Sequence, residues 1–211
     1  MNLVRDVVSD AAIGVGVADT PDGLEAIRQP GCAAAIWRRH IDPEFQFWLD
    51  ALLPDTLPRA RMILPPEDVG PCLADLFEAR QVPDGAHRSW LQGDIEALTA
   101  RFVALMPCPL IRLRLDVVST NACRRFHVDA VTARLICTYR GTGTQYGVST
   151  DGEEPRPVFT VPTGSPVVLR GTLWPDPPSA RLLHRSPPIE GTGETRLLLV
   201  IDPIFDADEE C

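Results

Sequence analysis

Only four histidines occur in the 211 residues, His40, His87, His127 and His184, and two of them stand beside partners able to share a cation. His127-Val128-Asp129 is an H-x-D triplet. In extended backbone, residues i and i+2 face the same side, so an imidazole and a carboxylate spaced this way reach one ion together. His184 follows Asp129 by 55 residues, and Arg196 follows His184 by 12. Two imidazoles and one carboxylate on one side of a divalent iron leave three coordination positions open, enough for a bidentate ligand and for oxygen. A 2-oxo acid is such a ligand, and the planar, permanently charged fork of an arginine matches its far carboxylate. A second chemistry uses the same residues. If the turn from Cys123 to His127 curls back, Cys123, His127, Asp129 and His184 make a closed tetrahedral zinc site. If it does not, Cys123 is a small apolar residue.

Composition narrows the alternatives. The chain has no lysine, and all 20 of its cationic side chains are arginine. That excludes a phosphate-loop lysine, a Schiff-base lysine and a lysine general base. It also means that any anionic co-substrate is held by arginine. The 29 acidic residues give a net charge of -9 with no evident basic patch, which argues against nucleic acid as a partner. No window approaches 18 uninterrupted apolar residues, so no membrane span is expected. The first ten residues carry Arg5, Asp6 and Asp10 and do not read as a signal peptide, so the expected compartment is the cytoplasm. Cys32, Cys72, Cys108, Cys123, Cys137 and Cys211 then read as thiols, and no CxxC pair occurs. The terminal Cys211 is an incidental tail thiol, open to oxidation in vitro.

The elements that must position these residues fall into two textures. Residues 1–107 read as a mostly helical region. A start is expected at Thr20-Pro21, with Thr20 as cap, and further helices over 43–53, 66–77 and 90–105. The last is the most regular, with Leu91, Ile95, Leu98, Phe102 and Leu105 on one face. One short apolar run, 33–37, reads as a strand. Residues 108–205 read as a metal-binding core of strands. Over 110–118 Ile111, Leu113, Leu115 and Val117 alternate with Arg112, Arg114 and Asp116, the period of a strand with one wet face. Strands follow over 134–140, 158–161, 167–170, 181–183 and 195–202, separated by Gly- and Pro-rich turns. Short strands at close spacing predict an antiparallel sandwich or jelly roll. The segment 138–145 reads as a flexible hairpin, and 206–211 as an acidic tail.

With this order of residues the chain resembles the Fe(II)/2-oxoglutarate-dependent oxygenase superfamily. Residues 112–139 look like the front half of its core: strand, polar turn, His127-x-Asp129 and returning strand. Residues 164–202 look like the back half, ending in the distal His184 and an arginine-led strand. The spacing is close to that of the phytanoyl-hydroxylase and aspartyl-hydroxylase branches. The chain also resembles an uncharacterised bacterial family of unknown function, with strings such as His184-Arg185-Ser186-Pro187-Pro188.

The oxygenase resemblance implies an α+β protein whose core is a double-stranded β-helix, a jelly roll with the metal at its mouth. It implies His127, Asp129 and His184 as Fe(II) ligands and Arg196 as the 2-oxoglutarate anchor. The activity implied is hydroxylation or oxidation of a small-molecule or peptide substrate, coupled to oxidative decarboxylation of the co-substrate to succinate. Some branches place a serine two residues after the anchor, where this chain has Leu198. The helper contact must come from elsewhere, with Thr138, Tyr139 and Arg134 as candidates. Trp174, in the proline-rich loop before His184, is a candidate wall of the substrate pocket. Two readings from other classes stand beside this one: a non-catalytic zinc protein using Cys123, and a metal-free jelly-roll binding module.

Overall fold

The computed structural model describes residues 14–150, 152–175 and 181–205. The tail 206–211, with Cys211, the first ten residues and most of the proline-rich loop after Pro175 lie outside the described residues.

Ten strands form two sheets. They are β1 (Val15–Ala18), β2 (Ala34–Trp37), β3 (Ala60–Leu64), β4 (Leu110–Val118), β5 (Ala133–Arg140), β6 (Gln145–Val148), β7 (Phe159–Thr160), β8 (Pro166–Arg170), β9 (Leu182–Arg185) and β10 (Arg196–Ile204). The large sheet runs β1-β2-β8-β5-β10-β4-β3, antiparallel except for the parallel β1–β2 pair. The small sheet runs β7-β6-β9. Three helices, α1 (Pro43–Ala51), α2 (Val69–Ala79) and α3 (Ala86–Leu105), accompany them.

The alternation read over 110–118 sets the layers. Ile111, Leu113 and Leu115 face the helices and join a core built with Leu73 and Phe77 of α2 and with Leu91, Ile95, Leu98 and Phe102 of α3. The opposite face of the large sheet meets the small sheet through a second core, where Ile136, Val167, Leu169, Leu198 and Val200 pack with Tyr146, Val161 and Leu182. Strand β10 is central and buried along all nine residues, because each of its faces is covered. Its odd-numbered leucines serve the helical layer and its even-numbered residues serve the space between the sheets.

The N-terminal half differs from the sequence pattern. Besides the helices it gives β1, β2 and β3 to the large sheet, at its two ends. β1 and β3 bury little and lack a strict alternation, so the period carried no signal for them. The segment after Thr20 is a 3-10 helix, Pro21–Arg28, and Thr20 makes no side-chain cap. In α1 the cap is Asp42, whose carboxylate accepts from the backbone N–H of Glu44 and Phe45. The expected hairpin around 138–145 opens instead into β6, which crosses to the small sheet.

One buried ion pair ties the layers together. Arg39 pairs bidentately with Asp94 of α3, both bonds 2.6 Å, and the Tyr139 hydroxyl of β5 donates to the same carboxylate at 2.7 Å. The five described cysteines are free thiols. Burial pushes the Cys137 thiol up to about 12, against the pull of Arg39, so it stays neutral.

Candidate metal centre

The two histidines are brought together by backbone pairing rather than by sequence proximity. His127 and His184 form an isolated antiparallel bridge, each N–H donating to the other's carbonyl at 3.0 Å. Directly opposed residues project to the same side, so their rings lie 4.6 Å apart between centroids. Pairing continues outward where the Ser186 N–H donates to the Cys123 carbonyl. The Asn121 side-chain oxygen accepts from the backbone of Ile189 and Glu190 and pins the two loops.

Asp129 is placed by a different device. The turn at Gly171 clasps its loop from behind: Gly171 N–H donates to Thr132, Thr172 N–H to Asp129 and Leu173 N–H to Val131. A Cβ at Gly171 would lie 1.8 Å from the Val131 carbonyl oxygen, so only glycine allows the approach.

Ligand atoms of His127, Asp129 and His184 all lie within 4.8 Å of one another. Asp129 Oδ2 lies 3.0 Å from His184 Nε2, and Asp129 Oδ1 lies 3.5 Å from His127 Nε2. Oδ2 is nevertheless buried without a hydrogen bond of acceptable geometry. Two imidazole nitrogens and a carboxylate converging on one point suit a shared cation. The His127 Nδ1 position supports the same assignment. It lies 2.8 Å from the Arg125 carbonyl, which can only accept, so the proton sits on Nδ1 and Nε2 presents its lone pair. Burial alone would raise the Asp129 carboxyl, but His184, Arg134 and His127 outweigh it and bring it down to about 2. It is therefore a carboxylate at any neutral pH.

Arg134 makes a close ion pair to Asp129 and a two-point pair to Asp202, at 2.6 and 2.8 Å. Its guanidinium is thus taken up by Asp129 and Asp202. Arg196, at the start of β10, has no exposed surface at all. Its Nε donates to the Thr142 carbonyl at 2.6 Å, and its two terminal nitrogens lie 3.4 Å from the hydroxyls of Ser186 and Thr138. Among the described residues no carboxylate forms an ion pair with it. Burial brings its pKa down to about 10, only partly offset by Glu194. Gly141 makes room for it, with φ +79° and a virtual Cβ only 3.0 Å from Arg196 Cγ.

A cavity of about 110 Å³ is bounded by His127, His184, Arg134 and Ser186 and floored by Ile136 and Leu198; Arg196 does not line it but lies behind Ser186, which does. Three sequence expectations lie elsewhere. Tyr139 faces the helical layer and Asp94, on the same side of β5 as Ala133, Leu135 and Cys137 by ordinary strand alternation. Trp174 lies under the Arg170 guanidinium, 4.5 Å away, packed on the helical core rather than on the cavity. Cys123 borders the cavity but is exposed and stands outside the ligand cluster, because its segment pairs outward with Ser186 and does not curl back. Ser186 was missed by sequence reasoning. Its only signal is a position two residues after His184, which places it on the same side as that histidine.

The fold is that of 2-oxoglutarate-dependent dioxygenases. The chain superposes on dioxygenase for auxin oxidation 1 from Arabidopsis thaliana, solved as a complex with 2-oxoglutarate, with TM-score 0.56 at 10% identity over 95% of both chains. The rice dioxygenase for auxin oxidation aligns at TM-score 0.49 and 15% identity, over 88% of this chain and 77% of that one. JOX2, solved with 2-oxoglutarate, iron and JA, aligns at 0.47 and 12% identity, over 94% and 76%. By sequence, residues 18–202 match DUF1826, a family of proteins of unknown function, and the chain belongs to that family. No curated protein matches it in sequence. Among the described residues no helix is long and apolar enough to cross a membrane.

Proposed function

We propose that the protein is an Fe(II)- and 2-oxoglutarate-dependent oxygenase whose two sheets form a double-stranded β-helix. The observation that carries this reading is the convergence of His127, Asp129 and His184, with the buried Arg196, in no ion pair among the described residues, held behind Ser186 of the cavity wall. A cation removed from water without an anion is costly, and an arginine kept that way is a site for an anion that arrives. A structural zinc site has no need of it, and its fourth ligand is missing here, since Cys123 stands outside the cluster.

His127, Asp129 and His184 would hold the iron on one face, with His127 fixed in the ligating tautomer by Arg125 and Asp129 kept ionised and oriented by Arg134. Arg196 would take the distal carboxylate of 2-oxoglutarate, and Thr138 and Ser186 would direct its fork. When bound, iron and 2-oxoglutarate supply oxidation of a substrate C–H bond at the expense of oxygen, leaving succinate and carbon dioxide. The apolar floor of Ile136 and Leu198 keeps water from the reacting centre. The substrate is a small molecule or peptide reached through the open side of the cavity, with no role for nucleic acid or membrane, and the protein would work in the cytoplasm.

Anaerobic titration with Fe(II) and then 2-oxoglutarate tests the reading. A weak visible charge-transfer band that needs both additions is expected. Stoichiometric zinc in the purified protein and no such band would overturn it.

A further inference from the structure

Helix α1 carries two apolar faces, and only one of them serves the core. Phe45 and Leu49, at i and i+4, are buried in the helical layer. Glu44, Phe47, Trp48 and Ala51, at i, i+3, i+4 and i+7, share a second stripe that lies at the surface. With Leu52, and with Pro83 and His87 around the start of α3, this stripe lines an open, largely apolar groove of about 590 Å³. Phe47 is 78% exposed, and Trp90, packed on Phe45 at 4.3 Å between ring centroids, is 38% exposed. The Trp48 and His87 rings stand 5.6 Å apart in the wall. The solvent face of a surface helix is ordinarily polar, and a contiguous apolar surface in its place marks an interaction site.

The groove is separate from the candidate metal centre. It belongs to the helical layer, whereas Ile136 and Leu198, the floor of the cavity beside His127 and His184, belong to the core between the two sheets. The large sheet stands between them.

The charge around the groove selects what can cover it. Residues 41–58 hold Asp42, Glu44, Asp50 and Asp55 and no arginine, and residues 81–87 hold Asp84 and no arginine. Asp42, Glu44 and Asp84 are exposed. Two neighbouring arginines are engaged elsewhere. Arg140 donates to the carbonyls of Leu49 and Leu52 at the end of α1, and Arg88 lies over the Phe77 ring. A second copy of this chain would set the same carboxylates against one another, and an anionic lipid surface or a nucleic acid would meet the same repulsion. Residues 1–13 offer Arg5 against Asp6 and Asp10. An apolar groove with an acidic rim is complemented by an apolar stripe flanked by cations.

We propose that this groove docks a basic amphipathic helix of another protein. Its apolar side chains, at helical spacing, sit on Phe47, Trp48 and Leu52, and its lysines or arginines face Asp42, Glu44 and Asp84. A groove between two helices receives a third as a ridge. Bound there, the partner lies behind the large sheet and leaves the metal-centre cavity open.

The test is calorimetric titration of the whole chain with a synthetic amphipathic helix of leucine and lysine, and with its leucine–glutamate counterpart of identical apolar stripe. The lysine peptide should bind one to one, about tenfold or more tightly than the glutamate peptide. Phe47→Ser should weaken it by about tenfold or more, as truncation of an aromatic anchor does. Because Phe47 is largely exposed, the variant's circular dichroism melt should match the parent's. Glu44→Gln combined with Asp84→Asn should weaken binding and flatten its salt dependence. Phe205→Ser, which removes an exposed aromatic ring just beyond β10, should leave the affinity within about twofold. Absent or equal binding of the two peptides overturns the proposal. So does lysine-peptide binding that survives Phe47→Ser, because the acidic surface at large is then the target. A dimer in sedimentation velocity that Phe47→Ser dissolves, or binding to phosphatidylserine vesicles lost in that variant, also overturns it, since the face then belongs to a second copy or to a membrane.

Discussion

At the scale of single residues the site holds buried groups whose partners are incomplete. Asp129 Oδ2 is buried 3.0 Å from His184 Nε2 without a well-aligned hydrogen bond, and Arg196 is buried with no ion pair to a carboxylate among the described residues. In the proposed function a cation relieves the first and an anion the second. Removing the guanidinium of Arg196 deletes a charge-assisted contact worth about 2–3 kcal/mol, a loss of roughly 30–150-fold in affinity. Arg196→Ala should therefore weaken 2-oxoglutarate binding by that factor in anaerobic titration while iron content, read by elemental analysis, stays stoichiometric. If 2-oxoglutarate affinity is unchanged, the anchor lies elsewhere.

At the scale of elements, the candidate ligands are held by contacts between loops. His127 and His184 are aligned by a two-residue bridge, and the Asp129 loop rests on the turn at Gly171. Gly171→Ala would drive a methyl group into the Val131 carbonyl, 1.8 Å away, and towards the Asp129 carbonyl at 2.8 Å. The loop must move. Overpacking of this kind costs about 1–3 kcal/mol in stability, and a displaced carboxylate costs metal affinity as well. Gly171→Ala should lower iron affinity at least tenfold, as read by competition with a chelator, with the fold retained in circular dichroism. An unaltered affinity would mean that the loop is not set by this turn. On the far face of β5, Arg39 and Asp94 join α3 to the sheet through a pair whose side chains are 12% and 10% exposed. Asp94→Ala leaves the Arg39 charge buried and unpaired, and should cost about 3–5 kcal/mol in urea unfolding. A loss below 1 kcal/mol would show that water reaches Arg39.

At the scale of the whole molecule, two sheets enclose the site and a helical layer stiffens the larger one from behind. Ligands that bind only the folded state raise its stability by mass action. Iron and 2-oxoglutarate, with 2-oxoglutarate at a hundred times its Kd, should add about 2.7 kcal/mol, or roughly 5–10 °C in melting temperature for a chain of this length. Differential scanning calorimetry under argon, with and without a chelator, measures it. A shift that appears with iron but does not grow when 2-oxoglutarate is added would point to metal binding without a co-substrate site.

Much of this was legible in the chain itself. The period-two pattern of 110–118 marked a strand with one wet face, and that face borders the cavity with Arg114 and Asp116. The helical face of Leu91, Ile95, Leu98, Phe102 and Leu105 is the buried face of α3. The H-x-D triplet placed an imidazole and a carboxylate on one side, because alternation is a local property of extended backbone. The absence of lysine left every cationic anchor to arginine. Other features depended on contacts between segments far apart in sequence. The bridge that sets His184 against His127 and the clasp of Gly171 on the Asp129 loop were not readable. Nor was the competition of Arg134 and Arg114 for Asp202. Periodicity reports which face a residue takes; which partner waits on that face, and whether it is already engaged, is decided only when the two sheets close.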